Sequence, residues 1–105
     1  MKRVLNGDKT KNVLILHATA GAEIALSSTG TSDPDKNVVK VTWWIYPEAG
    51  SANYHPALAI TEGPTTTLQL PATRTPATVH VILQAEDDGT PHLVAYRRAI
   101  IEVMP

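Results

Sequence analysis

The residues that could do chemistry in this chain are four histidines, ten acids and an adjacent tryptophan pair, Trp43-Trp44. His17, His55, His80 and His92 are scattered, and none has the spacing of a zinc site or of a nucleophile and its base. There is no His-Glu-x-x-His, no Gly-x-Ser-x-Gly, no phosphate-cradling glycine loop and no Rossmann glycine set. Cysteine is absent, so disulfides, thiolate nucleophiles and cysteine–zinc sites are excluded. The chain reads as a non-enzyme. The close carboxylates are Asp33-x-Asp35 and Asp87-Asp88. Calcium takes about six to eight oxygen ligands, and these four acids would supply some only if their two loops share one end of the fold. Asp in such loops more commonly forms Asx-turns and hairpin turns. No cofactor is expected, and Asp33, Asp35, Asp87 and Asp88 stand as calcium candidates only.

The aromatic residues carry a second kind of chemistry. Trp44 and Tyr46 lie two apart, so on a strand they share one face, about 6.5–7 Å from each other. Tyr96 and Arg98 repeat that spacing near the C-terminus. Aromatic rings stack on the C–H faces of sugars while polar neighbours bind the hydroxyls. The same surface could instead pack against another protein domain. Ile82 and Ile100 have the parity of this face, and aliphatic side chains suit a dehydrated protein contact better than a sugar. The candidate binding face is therefore Trp44, Tyr46, Ile82, Tyr96, Arg98 and Ile100. Docking is the first reading and glycan binding the second.

Seven segments must position these residues. They are 11–17, 23–28, 38–46, 57–61, 65–70, 78–86 and 93–103, all with strand-like alternation, separated by turns rich in Gly, Pro, Asp and Ser. No segment has helical spacing. Seven short strands in one domain predict an all-β, immunoglobulin-like, antiparallel Greek-key sandwich over residues 11–105. Residues 1–10 read as a tail or linker from something upstream. Strand parity puts Val39, Val41, Trp43 and Ile45 inward and Trp44 and Tyr46 outward. It also puts Arg97 inward, where a guanidinium needs a hydrogen-bonding partner.

Composition excludes further classes. The 105 residues are 43% hydrophobic and 18% charged, with a net charge of -1, so neither disorder nor a nucleic-acid footprint is expected. No apolar run approaches the roughly 20 residues that span a bilayer, and no membrane partner is expected. Lys9 and Lys11 interrupt the N-terminal apolar residues, so these do not form a signal peptide.

Two motifs taken together resemble one family. The first is Trp43-Trp44-Ile45-Tyr46-Pro47-Glu48-Ala49-Gly50, preceded by Ser32-Asp33-Pro34-Asp35. The second is Asp87-Asp88-Gly89-Thr90-Pro91 followed by Ala95-Tyr96-Arg97-Arg98. Over residues 12–104 the chain is similar to the C-terminal domain of bacterial exported proteins whose N-terminal domain is nucleoside-hydrolase-like. These are often labelled cellulose-binding. The likeness departs at Asp35-Lys36-Asn37, where an Asp-Pro-Asp-Gly-Asp loop is usual. The resemblance implies a non-catalytic accessory domain whose partner is an upstream catalytic domain, with polysaccharide as a possible second partner. It implies a periplasmic or extracellular location. It makes Glu48 the first candidate to hold Arg97, with Asp87 second, and Trp43, Glu48 and Arg97 the structural residues. It also raises the reading that the 47–55 segment is lent to the parent's hydrolase site.

Overall fold

Alternating burial organises the chain into strands. The computed structural model describes residues 5–7, 13–28, 39–46, 51, 53–89 and 94–105. The strands are β1 (Leu14–Thr19), β2 (Glu23–Ser27), β3 (Val39–Ile45), β4 (Ala57–Leu58), β5 (Thr65–Gln69), β6 (Ala77–Asp87) and β7 (Val94–Met104). They form two sheets, ordered β1-β7-β6-β3 and β2-β5-β4. Between them lies one core, with Trp43, Leu26, Leu68, Leu83, Val81, Ile101 and Val103 at its centre. This is a seven-stranded β-sandwich. The groupings β2-β5-β4 and β3-β6-β7 match the B-E-D and C-F-G sheets of immunoglobulin-type domains.

Three features depart from the expected arrangement. First, β1 runs parallel to β7, from Leu14 opposite Ala99 to Thr19 opposite Met104, so the sandwich is not wholly antiparallel. Second, the expected strand 57–61 keeps only Ala57–Leu58. Beyond it Ala59 N still donates to Thr67 O at 2.9 Å, and after Ile60 the chain leaves β5 and crosses to the edge of β3. There Thr61 O accepts from Trp43 N at 2.8 Å, Gly63 N donates to Val41 O at 3.0 Å, and Glu62 bridges Thr42. Gly63, the last residue on the β3 edge before the chain returns to β5, has a φ of 114°, a conformation that L side chains rarely adopt.

Third, Leu5 does not belong to a tail. It is 1% exposed and part of the core. Asn6 ties this segment to β2. Its N–H donates to Ser27 O at 2.8 Å, and its side-chain oxygen accepts from Ser27 N at 2.7 Å. With only Val4 beside it between Lys2-Arg3 and Asn6-Gly7-Asp8, Leu5 carries no periodicity, so the sequence pattern could not mark it.

Trp43 is 1% exposed, on the inward face with Val41, and its indole N–H donates to Gly63 O at 2.9 Å. The hydrogen bond satisfies the one polar atom of a side chain that the core encloses. Arg97 is also buried, at 3% exposure, and lies on the inward parity of β7. Its first candidate partner, Glu48, lies outside the described residues. Asp87, the second, ends β6 on the same inward parity and is 2% exposed. One Asp87 carboxylate oxygen accepts from Gly89 N at 3.1 Å, the local turn bond expected of Asp at a strand end.

Candidate functional site

The outer face of the β1-β7-β6-β3 sheet is built in cross-strand rows. One row is Trp44, Ile82 and Arg98, from β3 through β6 to β7. The next row towards one end is Thr42, Gln84 and Tyr96. The row on the other side is His80, Ile100 and Ile15, with Tyr46 fastened beside it by its N–H to His80 O at 2.8 Å. Thus β3 supplies Trp44 and Tyr46, β7 supplies Tyr96, Arg98 and Ile100, and β6 separates the two groups.

Two contacts arch over β6. Trp44 and Tyr96 meet edge to face, with ring centroids 6.0 Å apart and planes at 77°. The Arg98 guanidinium lies over the Tyr46 ring, 5.5 Å from its centroid. Each contact joins strands about two inter-strand spacings apart, so the side chains must lean inward across β6. Ile82 lies beneath them and, with these four residues, lines a shallow cleft of about 240 Å³.

This corrects the place expected for Ile82. Its parity is outward, yet it is only 7% exposed. Its neighbours in the row are Trp44 and Arg98, whose large side chains shield a central-strand residue from water. The edge-to-face geometry also means that Trp44 and Tyr96 do not present one flat plane. The Arg98 guanidinium occupies one face of Tyr46. Lys40, on the same outer parity of β3, pairs with Glu62 at 3.4 Å, an exposed bridge of small energetic consequence.

The face extends further than the sequence marked. Val13 and Ile15 are 49% and 53% exposed, and Ile15 is the direct partner of Ile100. Val94 and Tyr96 are 42% and 56% exposed at the other end. Strand parity alone would have turned Val13 and Ile15 outward, but only the pairing of β1 with β7 places Ile15 beside Ile100. The result is an apolar surface with Arg98 at its centre, bounded by the Lys40–Glu62 pair at one end and the His17–Glu102 pair at the other. Among the described residues, Arg98 has no carboxylate partner.

A second cleft, of about 220 Å³, opens beside this face and shares Tyr46 and His80 with it. Its other wall comes from Ser51, Asn53, Tyr54, His55 and Pro56. Ser51 is held to β6 in both directions, donating from its N–H to Thr78 O at 2.9 Å and accepting from Thr78 N at 2.8 Å on its hydroxyl. The Tyr54 hydroxyl donates to Pro71 O at 2.8 Å, and burial raises its pKa. Burial, followed by the nearby Arg98 charge, lowers the pKa of His80. His80 Nδ1 is buried without a hydrogen-bond partner, which likewise favours the neutral ring. The described part of the 47–55 segment therefore borders a cleft, while residues 47–50 and 52 lie outside the described residues.

The acidic candidates are not brought together in what is described. Asp33 and Asp35 lie outside the described residues. Asp88 is exposed at the end of β6, beside the buried Asp87. Among the described residues, no cluster of three or more metal-ligating side chains occurs.

Residues 23–103 match the family model of the cellulose-binding protein Sde0182 C-terminal domain. The chain belongs to that family. Among solved structures it is similar to a nucleoside hydrolase-related hypothetical protein from Saccharophagus degradans that is associated with carbohydrate metabolism. The two are 32% identical, with a TM-score of 0.92 over 97% of this chain. The match covers 25% of that protein, so this chain spans about a quarter of its length. No curated protein matches the sequence.

Proposed function

We propose that this domain is a non-catalytic accessory module that docks on another domain of a longer, exported, nucleoside hydrolase-related polypeptide. The observation that carries the reading is the outer face of the β1-β7-β6-β3 sheet. Val13, Ile15, Val94 and Tyr96 are exposed there around a buried Ile82. An aliphatic and aromatic surface of this kind, with Trp, Tyr and Arg at its centre, has the composition of a protein contact. The related S. degradans protein gives the reading a partner, since three-quarters of that chain lies outside the match. An exported polypeptide of this family would work in the periplasm or outside the cell.

Carbohydrate binding is the second reading, and the family description favours it. Against a flat stacking platform stand the 77° angle between Trp44 and Tyr96 and the guanidinium over Tyr46. The reading that the 47–55 segment is lent to a hydrolase site draws on the cleft it borders. Calcium in the Asp33, Asp35, Asp87 and Asp88 loops remains a proposal that a metal titration would decide.

One experiment separates docking from glycan binding. Cello-oligosaccharides are titrated into the domain while tryptophan fluorescence is followed, with Trp44→Ala as control. Docking predicts no saturable change. It also predicts that the isolated domain self-associates as its concentration rises, and that Ile15→Lys suppresses this. A saturable change that Trp44→Ala removes would move the assignment to carbohydrate binding.

A further inference from the structure

Building on the docking reading, we infer that the surface which covers this face presents a carboxylate to Arg98, and that the covering surface belongs to the same longer polypeptide. Arg98 stands at the middle of the apolar face, in the row with Trp44 and Ile82. Among the described residues no carboxylate pairs with it, whereas the other described cation of this face, Lys40, already has Glu62. Tyr46 lies under the guanidinium at 5.5 Å. A cation over a ring face keeps its N–H donors available, and a guanidinium fork can receive a carboxylate bidentately.

Covering the face without such a partner would bury an unpaired charge. That cost is large enough to oppose docking outright. Arg98 is only half-buried while the face is open, so the requirement for a partner sharpens on docking. The occupant is assigned to the same polypeptide because the related protein has three-quarters of its chain beyond this domain, and an exposed apolar face is otherwise a liability in solution. The partner surface is therefore apolar at its rim, opposite Val13, Ile15 and Val94, and acidic at one central point.

The test uses this domain and the remainder of the polypeptide encoded by the complete gene, purified separately. Affinity is measured by calorimetry at low and high salt for the unaltered domain and for Arg98→Met, Arg98→Lys and Ile15→Lys. Arg98→Met should weaken binding by about tenfold or more and flatten its salt dependence. Arg98→Lys, which keeps the charge and loses the planar fork, should fall between the two. Thermal unfolding of each variant confirms that the fold is intact. If Arg98→Met leaves affinity and salt dependence unchanged while Ile15→Lys abolishes binding, the carboxylate is refuted and docking stands. If the unaltered domain does not bind the remainder, or Ile15→Lys has no effect, the docking reading itself falls.

Discussion

Replacing Trp43 tests the link between core and topology most directly. Its indole is 1% exposed, and its N–H reaches Gly63 O, in the segment that runs along the β3 edge before the chain returns to β5. Trp43→Ala removes both packing and hydrogen bond. Large-to-small truncation of a buried tryptophan costs about 3–5 kcal/mol. Domains of this size hold about 5–15 kcal/mol in total, so the variant should be largely unfolded or close to it. Trp43→Phe is the more informative change. It keeps an apolar ring but loses the donor, worth about 0.5–1.5 kcal/mol, and leaves some void, for a combined loss of about 1–3 kcal/mol. Each kcal/mol should lower the urea midpoint by about 0.3–1 M at a typical m-value of about 1–3 kcal/mol/M. Urea unfolding followed by Trp44 fluorescence reads the effect, because Trp44 remains as reporter. Trp44→Phe, on the half-buried outer face, should cost less than Trp43→Phe. An unchanged midpoint for Trp43→Phe, or a larger loss for Trp44→Phe, would refute the assignment of Trp43 as the core residue that fastens the crossing.

Further outcomes follow from single residues. Leu5→Ala should destabilise the domain by about 2–5 kcal/mol in urea, whereas a change within about 0.5 kcal/mol would return residues 1–10 to the status of a tail. Gly63→Ala should cost about 1–3 kcal/mol from backbone strain at φ 114°; nothing lies within 4 Å of the added methyl, so a neutral result would contradict the strain and not the packing. His80 has a folded pKa below its unfolded value of about 6.5, so the unfolded chain binds the extra proton first and stability falls as pH drops below about 6.5. His80→Phe should remove that part of the pH dependence of the urea midpoint, and an unchanged pH profile would count against a His80 held neutral in the fold.

The elements were legible where one rule acted alone. Alternation in Val39–Ile45 and Ala77–Asp87 fixes which side chains face the core, because the two-residue period leaves no choice once one face is apolar. It places Trp43 inside, Trp44 outside and even Arg97 inside, the last against its own chemistry. The rule fails where a residue's surroundings are set by strands distant in sequence. Ile82 obeys outward parity and is buried all the same, because Trp44 and Arg98 flank it and their partners close over β6. Val13 and Ile15 look like any exposed edge residues until β1 is known to lie against β7, when they become the margin of the candidate face. The segment after Leu58 reads as more strand because Ala59-Ile60-Thr61 alternates properly; its departure to β3 is marked by donors from the other sheet, the Trp43 backbone N–H to Thr61 O and its indole N–H to Gly63 O. Individual side chains of the site could thus be read from local pattern, but the surface they form could not. That surface is a product of pairing order, and pairing order is decided by the collective burial of both sheets.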